Sequence, residues 1–415
     1  MAETVVFQNA TIFDGTGGEP YERGTLVVSG DRIQAIGPMS QVSTPRDARV
    51  IELDGKTVMP GLIDAHAHVG FVEQNFSADT ENRHPGAVYA YSVARNIQDT
   101  LMHGFTTIRD AGGCDWSFKL AVDRGMIEGP RMFVSNSFIS QTGGHGDMRQ
   151  RHERFEPRRY HPLMPPPAIC DGEPEARRAA RDQLRTGADQ LKVMAGGGAA
   201  SPTSLLDSPQ FTLAELAAVV YEATAVRKPV MAHVYVPEGI KNCVEAGIRS
   251  IEHGNFLDEE CAFLMRERGV FLVPTLSVYE LISRHGREQG AAESYVEKIN
   301  FAKGVAPQSV EIAMAAGVSI GSGSDVYGPN GNRKALELEL KAAIMGPIKS
   351  LVAATRTNAE LVGMGSEIGT LEAGKLADLI VVDGNPVDDI TILQDAKNIA
   401  MVMQSGRIVK DGDLH

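Results

Sequence analysis

Apolar and polar positions change rhythm twice along this chain, and the changes divide it into three stretches. Residues 3–57 alternate in short runs broken by glycine and aspartate. Thr4-Val5-Val6-Phe7, Gly24-Thr25-Leu26-Val27-Val28 and Arg32-Ile33-Gln34-Ala35-Ile36 read as antiparallel strands, with Ser29-Gly30-Asp31 as a hairpin turn. The C-terminal stretch has the same texture, with strand-like runs at 377–382, 399–403 and 407–410 and Ser405-Gly406 turning the last two. Neither end holds enough strands to bury a core by itself. The two are therefore expected to pair into one composite β-sandwich of residues 1–57 and 366–415.

Between them, over residues 58–365, strand-like runs alternate with helical patterns at 173–186, 212–227, 237–246 and 258–268. Strand ends are expected near His68, Asp110, Ser140, Lys192, His233, His253, Thr275 and Asp325. Eight β/α units over roughly 300 residues fit an α/β fold of the (β/α)8 TIM-like barrel type. A doubly wound open sheet is the alternative, but it would offer a glycine-rich phosphate turn after its first strand. Here the first strand, Val58 to His68, delivers histidines.

Composition narrows the field of partners. The 415 residues carry a net charge of −13, which argues against nucleic acid because phosphate neutralisation needs a basic surface. No apolar run reaches the length of a membrane span. The N-terminus lacks a basic segment followed by a long apolar core, so no signal peptide is read. Cys114, Cys170, Cys243 and Cys261 are widely spaced and form no CxxC pair, which fits reduced thiols in a cytoplasmic protein.

The strand ends carry the chemistry. His66 and His68 stand at i and i+2, on one face of a strand, where both can grip one ion. Lys192 lies inside the apolar run Leu191-Lys192-Val193-Met194; a buried lysine held neutral can capture carbon dioxide, and the resulting carbamate can bridge two divalent ions. His233 and His253 each end a strand, and Asp325 closes Gly321-Ser322-Gly323-Ser324-Asp325 either as a helix cap or as a ligand and proton shuttle. In barrels of this type the chemistry sits at the C-terminal ends of the strands.

This order of motifs, from Pro60-Gly61-Leu62-Ile63-Asp64-Ala65-His66-Ala67-His68 to the closing Gly374-Lys375-Leu376-Ala377-Asp378-Leu379, resembles the amidohydrolase superfamily over nearly the whole chain. Thr106-Thr107-Ile108-Arg109-Asp110-Ala111-Gly112-Gly113, Gln141-Thr142-Gly143-Gly144-His145-Gly146-Asp147 and Tyr235 resemble one branch of it. That branch holds metal-dependent dipeptidases and carboxypeptidases, including Xaa-Pro dipeptidases (prolidases) and ochratoxin hydrolases.

The resemblance implies two divalent metal ions, with zinc best suited to the nitrogen and carboxylate ligands. His66 and His68 would bind the first ion and His233 and His253 the second. A carboxylated Lys192 would bridge both, and Asp325 would contact the first. Water between two cations becomes hydroxide near neutral pH, and the cations polarise the scissile carbonyl. Asp325 would shuttle the proton to the leaving amine. The resemblance gives His145 the carbonyl oxygen as it becomes an oxyanion, and Tyr235 the substrate α-carboxylate.

The activity implied is cleavage of the amide bond to a C-terminal amino acid in dipeptides or N-acyl amino acids, prolidase-like in the first instance. Ochratoxin A hydrolysis releasing phenylalanine is the alternative. A cyclic-amide hydrolase or deaminase is a further one, against which the bridging lysine speaks. A small-molecule substrate is implied, with no nucleic acid or membrane partner, and a homo-oligomer with an octamer as candidate size. After Gly143-Gly144-His145-Gly146 an irregular stretch runs to Gly172; its Arg149, Arg151, Arg154, Arg158 and Arg159 are expected to form salt bridges within the loop or to a neighbouring subunit.

Overall fold

The computed structural model describes residues 3–73, 83–154 and 160–412. Five strands come first: β1 (Thr4–Ile12), β2 (Tyr21–Ser29), β3 (Arg32–Pro38), β4 (Arg49–Glu52) and β5 (Lys56–Pro60). The central stretch supplies β6 (Leu62–Ala67), β7 (Phe105–Asp110), β8 (Arg131–Val134), β9 (Phe138–Ser140), β10 (Ala168–Ile169), β11 (Leu191–Met194), β12 (Val230–Val234), β13 (Ser250–His253) and β14 (Phe271–Val273). The last three are β15 (Leu379–Asp383), β16 (Ile399–Gln404) and β17 (Arg407–Asp411).

Both chain ends contribute to one connected sheet, ordered β17-β16-β15-β5-β1-β2-β3 with β4 paired to β1. The junction is the antiparallel pair β15–β5, which sets Leu379 opposite Pro60 and Val381 opposite Val58. Alternation decides the faces. Val58, Leu379, Val381, Met401 and Met403 point into a core shared with Phe7, Leu26 and Ile51. Met59, Ile380, Val382 and Val402 point the other way, onto Leu101, Phe105 and Leu351 of the central stretch. The sheet is thus buried on both sides where it meets the rest of the chain, which is why its strands read as nearly continuous apolar runs.

The central strands pair in parallel, as β6-β7-β8 and as β10-β9-β11-β12-β13-β14. The helices between them start and stop where the sequence signals it. Leu213–Ala225 begins with a capping box of Thr212 and Glu215, and Pro237–Ala246 opens on proline and ends at Gly247, whose φ of 92° suits a residue without a Cβ. No described helix is long and apolar enough to cross a membrane. All four cysteines are buried and unpaired.

The main departure from expectation is the last predicted strand. Residues 318–325 form no regular strand and make a single bridge, Ile320 with Leu272. The segment still runs between β14 and β6: Gly321 N donates to Leu272 O (2.8 Å), Ala65 N to Ser322 O (2.9 Å), and Asp325 N to His66 O (2.8 Å). A side chain at Gly323 would meet His66 Cβ at 2.5 Å and Val273 Cγ1 at 2.6 Å. Small residues therefore let this segment approach β6 closely.

Truncating the fully buried Ile380 tests the contact between sheet and central stretch. Ile380→Ala should cost about 2–5 kcal/mol through lost burial and a residual cavity, read by denaturant unfolding; a cost near zero would mean that this face carries no packing load.

Candidate metal centre

On β6 the side chains of Asp64 and His66 share the face that His68, just beyond the strand, continues. His66 Nδ1 donates to Glu252 Oε2 (2.7 Å), the one role open to it opposite a carboxylate. Glu252 Oε1 in turn accepts from Arg109 Nη2 (2.8 Å) and Ser250 Oγ (2.5 Å). The other Arg109 donors reach Ala65 O (2.6 Å) and Ser250 Oγ (2.9 Å). All of these groups are buried, so His66 is held in one tautomer with Nε2 facing Lys192 Nζ (3.4 Å) and Asp325 Oδ1 (3.6 Å).

His68 is oriented differently. Its Nδ1 donates to Gly112 O (2.7 Å), leaving Nε2 at 3.2 Å from Asp325 Oδ1. Asp110 shapes that loop by accepting from Gly112 N, Cys114 N and Val69 N, while burial pushes its carboxyl up to about 6. His66, His68 and Asp325 each offer an atom within 4.8 Å of the others.

His233 and His253 complete a ring of imidazoles. His253 lies 5.1 Å from His66 and 4.5 Å from His233, centroid to centroid. His233 Nε2 donates to Gly197 O (3.0 Å), and His253 Nδ1 bonds Thr275 Oγ1 (2.7 Å). Burial, aided by Lys192 and neighbouring histidines, holds His66, His233 and His253 well below the ordinary histidine range, so each is neutral, the form that binds metal. Lys192 is 1% exposed and, among the described residues, pairs with no carboxylate. Burial pulls its amine down to about 8, against the opposing pull of Glu252 and Asp325. Neutral imidazoles, a carboxylate and a depressed lysine amine line one cavity, a donor set that fits divalent metal ions.

Backbone strain gathers here as well. His253, Thr275 and Asp325 have φ values of 72°, 52° and 54°, a region costly for residues with a Cβ, at about 1–3 kcal/mol each.

A cavity of about 460 Å³ opens above this cluster. His145 stacks on His233 at 4.2 Å, and its ring fills the space that a Gly198 side chain would need. The His145 backbone N–H donates to Gln210 Oε1 (2.9 Å), while its buried ring Nδ1 has no partner among the described residues. Burial drives the ring down to about 3, so it is a neutral donor in working conditions. Tyr235 packs on His233 (4.9 Å) and His253 (5.4 Å), is hydrogen-bonded to Tyr279, and is raised above the usual phenol range by burial. Arg149 also lines the cavity and pairs with Asp147 at 2.6 Å, the within-loop salt bridge expected for it; Arg158 and Arg159 lie outside the described residues.

Every metal and catalytic candidate thus meets at one cavity: His66, His68, His145, Lys192, His233, Tyr235, His253 and Asp325. Sequence reasoning gave no role to Glu252, Arg109 or the aromatic wall of Phe71, Tyr295 and Tyr327. Tyr327 could have been found: it stands two residues after Asp325, as Tyr235 stands two after His233. The Tyr295 and Tyr327 hydroxyls meet at 3.0 Å, although 32 residues separate them. Trp116, 42% exposed, does not line the cavity.

The amidohydrolase family model matches residues 57–409. An ochratoxinase of Aspergillus niger is 33% identical over 412 residues, covering 95% of this chain and 84% of that protein. The crystal structure of a prolidase complexed with N-methylphosphonate-L-proline is 38% identical with a TM-score of 0.92, covering 98% of this chain and all of that one. The structure of a Xaa-Pro dipeptidase with methionine bound in its active site is 29% identical with a TM-score of 0.88, at 98% and 100% coverage.

Removing the Glu252 charge tests the support beneath His66. Glu252→Gln leaves Arg109 buried without its counter-ion, so stability should fall by about 3–5 kcal/mol, and metal affinity by roughly 10–100-fold. Equilibrium dialysis with metal analysis and denaturant unfolding read the two effects; native metal affinity in a folded variant would remove the support role.

Proposed function

Since this chain belongs to the amidohydrolase family and is a hydrolase of amide bonds, we propose that it releases the C-terminal amino acid from dipeptides or N-acyl amino acids, with prolidase-like activity foremost. Its TIM-barrel-type α/β fold with an added sheet is that of its relatives. We take residues 58–365 as a closed (β/α)8 barrel and residues 1–57 with 366–415 as the sheet unit. The hydrogen bonds that 318–325 makes to both β14 and β6 support closure.

The observation that carries the reading is Lys192, fully buried among neutral imidazoles and without a carboxylate partner among the described residues. A permanently charged lysine would be costly there. An amine pulled down to about 8 has a far larger neutral fraction near physiological pH than an ordinary lysine, and the neutral form is the one that adds carbon dioxide. In this reading His66, His68 and Asp325 would hold one divalent ion and His233 and His253 a second, with a carboxylated Lys192 as the ligand they would share. Zinc suits the donors best. When bound, the two ions supply the Lewis acidity that activates water and polarises the scissile carbonyl.

The remaining work falls to the chain itself. Asp325 takes the proton of the attacking water and delivers it to the leaving amine. Neutral His145, with a ring nitrogen that has no partner among the described residues, donates to the carbonyl oxygen as negative charge develops there. Tyr235, kept as a phenol by burial, contacts the substrate α-carboxylate. Phe71, Tyr295 and Tyr327 exclude water from the side of the cavity next to His68. A homo-oligomer belongs to the proposal on family resemblance alone.

The second reading, ochratoxin A hydrolysis, draws on the ochratoxinase relative and on this aromatic wall, which suits a flat apolar acyl group. A panel of Xaa-Pro, Xaa-Arg and Xaa-Lys dipeptides, N-acyl amino acids and ochratoxin A separates the two. Zinc-loaded protein with bicarbonate should release proline fastest; preferred release of phenylalanine would move the assignment to the second reading, and silence on every substrate would reject both.

Two substitutions examine the roles. Asp325→Asn should lower turnover by about 10²–10⁴-fold while most metal is retained, and unchanged turnover would remove the proton-carrier role. Lys192→Ala should lose metal and activity together; two ions retained with full activity would exclude the carbamate bridge.

A further inference from the structure

Asp64 lies one layer below His66 on β6, is 1% exposed, and belongs to none of the groups that face the cavity. Its Oδ1 accepts from His66 N (3.1 Å) and Ser324 N (2.9 Å). Its Oδ2 accepts from Ser324 Oγ (2.6 Å) and pairs with Lys334 Nζ (3.3 Å), itself buried. One carboxylate thus ties the strand that bears His66 and His68 to the residue immediately before Asp325.

Residues 318–325 need such a clamp. They form no regular strand, and backbone hydrogen bonds reach β14 and β6 only at Ser319, Gly321, Ser322 and Asp325. Side chains supplement them. Asn358 bonds both the N–H and the carbonyl of Ser322, Lys341 Nζ donates to Gly321 O (3.2 Å), and Ser277 Oγ donates to Ser324 O (2.8 Å). Asp64 holds the N–H and the hydroxyl of Ser324, one peptide before Asp325 enters the left-handed region at φ 54°. A non-glycine residue keeps that conformation only where its surroundings over-determine it. The outcome is an Asp325 carboxylate 3.2 Å from His68 Nε2.

We propose that Asp64, with Lys334 as its counter-ion, is a positioning residue: by fixing Ser324 it holds Asp325 in its left-handed conformation and aims its carboxylate at His66 and His68. The catalytic part of this inference rests on Asp325 being the proton carrier; the geometric part does not. Asp64 does not line the cavity; it reaches Asp325 through Ser324, while its bond from the His66 N–H ties the same carboxylate to β6. The charge matters because Oδ1 and Oδ2 together accept from three donors and face a lysine, whereas the amide of an asparagine turns one of those acceptors into a donor.

Asp64→Asn and Ser324→Ala are made singly and in the Asp325→Asn background, and crystals of each single variant are examined beside steady-state kinetics. Ser324→Ala removes only the hydroxyl and stays informative should Asp64→Asn fail to fold. Each variant is expected to lower kcat by about tenfold or more with KM nearly unchanged, and most of that loss should vanish once Asp325 is already asparagine. A merely structural defect would cost the same in both backgrounds. In the crystals, Asp325 should leave its left-handed φ or lose its contact with His68. An undisturbed Asp325 in both structures overturns the inference, as do losses of equal size in the two backgrounds. If Asp325→Asn alone leaves kcat intact, the proton-carrier role fails separately, and the position of Asp325 in the crystals then decides the inference by itself.

Discussion

The buried contact between His66 and Glu252 is the constraint on which the site depends. An ionised carboxylate in a dry interior is expensive unless its lone pairs are satisfied and its charge is opposed. Glu252 meets both conditions, accepting from His66, Arg109 and Ser250 at 2.5–2.8 Å. Arg109 completes the arrangement by reaching Ala65 O, so the network joins β6, β7 and β13. Such a network contributes little net stability compared with apolar packing. What it provides is direction: it fixes which nitrogen of His66 faces the cavity and holds that ring still.

From there the electrostatics follow in order. Arg109 and Glu252 largely neutralise each other beneath the site, which leaves Lys192 above them without a dedicated counter-charge. Burial then wins over attraction, and the amine is depressed to about 8. The neighbouring histidines are neutral for the same reason. A cluster of neutral nitrogen donors, one carboxylate and one depressed amine favours cations, while His145, pushed to about 3 and stacked on His233, stays available as an uncharged donor. Local strain at His253, Thr275 and Asp325 is tolerated because side-chain hydrogen bonds over-determine the backbone around them.

Much of this was legible in the sequence, and the reasons differ by element. Strand-like runs at both ends led to the expectation of a composite β-sandwich; in the structure the antiparallel register of β15 on β5 joins the two ends in one connected sheet. Strand-end histidines announced the cluster because alternate residues of a strand share a face. What stayed hidden depends on distance in the chain. Nothing in Ile251-Glu252-His253 reveals that Glu252 answers to His66, 186 residues earlier. Residues 318–325 looked like a strand because their apolar run is strand-like, yet a glycine-serine segment squeezed against β6 combines a few backbone bonds to β6 and β14 with bonds to the side chains of Asp64, Asn358 and Lys341. Of the aromatic wall, Tyr327 was legible from its spacing after Asp325, whereas Tyr295 meets it only across the fold.

Four histidines, Asp325 and a carboxylated Lys192 are proposed to hold two ions together. Anomalous diffraction from crystals grown with zinc and bicarbonate, recorded on both sides of the zinc edge, is the sharpest test of that proposal. Two peaks are expected, one beside His66, His68 and Asp325 and one beside His233 and His253, with electron density extending from Lys192 Nζ as a carbamate between them. A single peak, or a Lys192 ending in a bare amine with both ions in place, would contradict it.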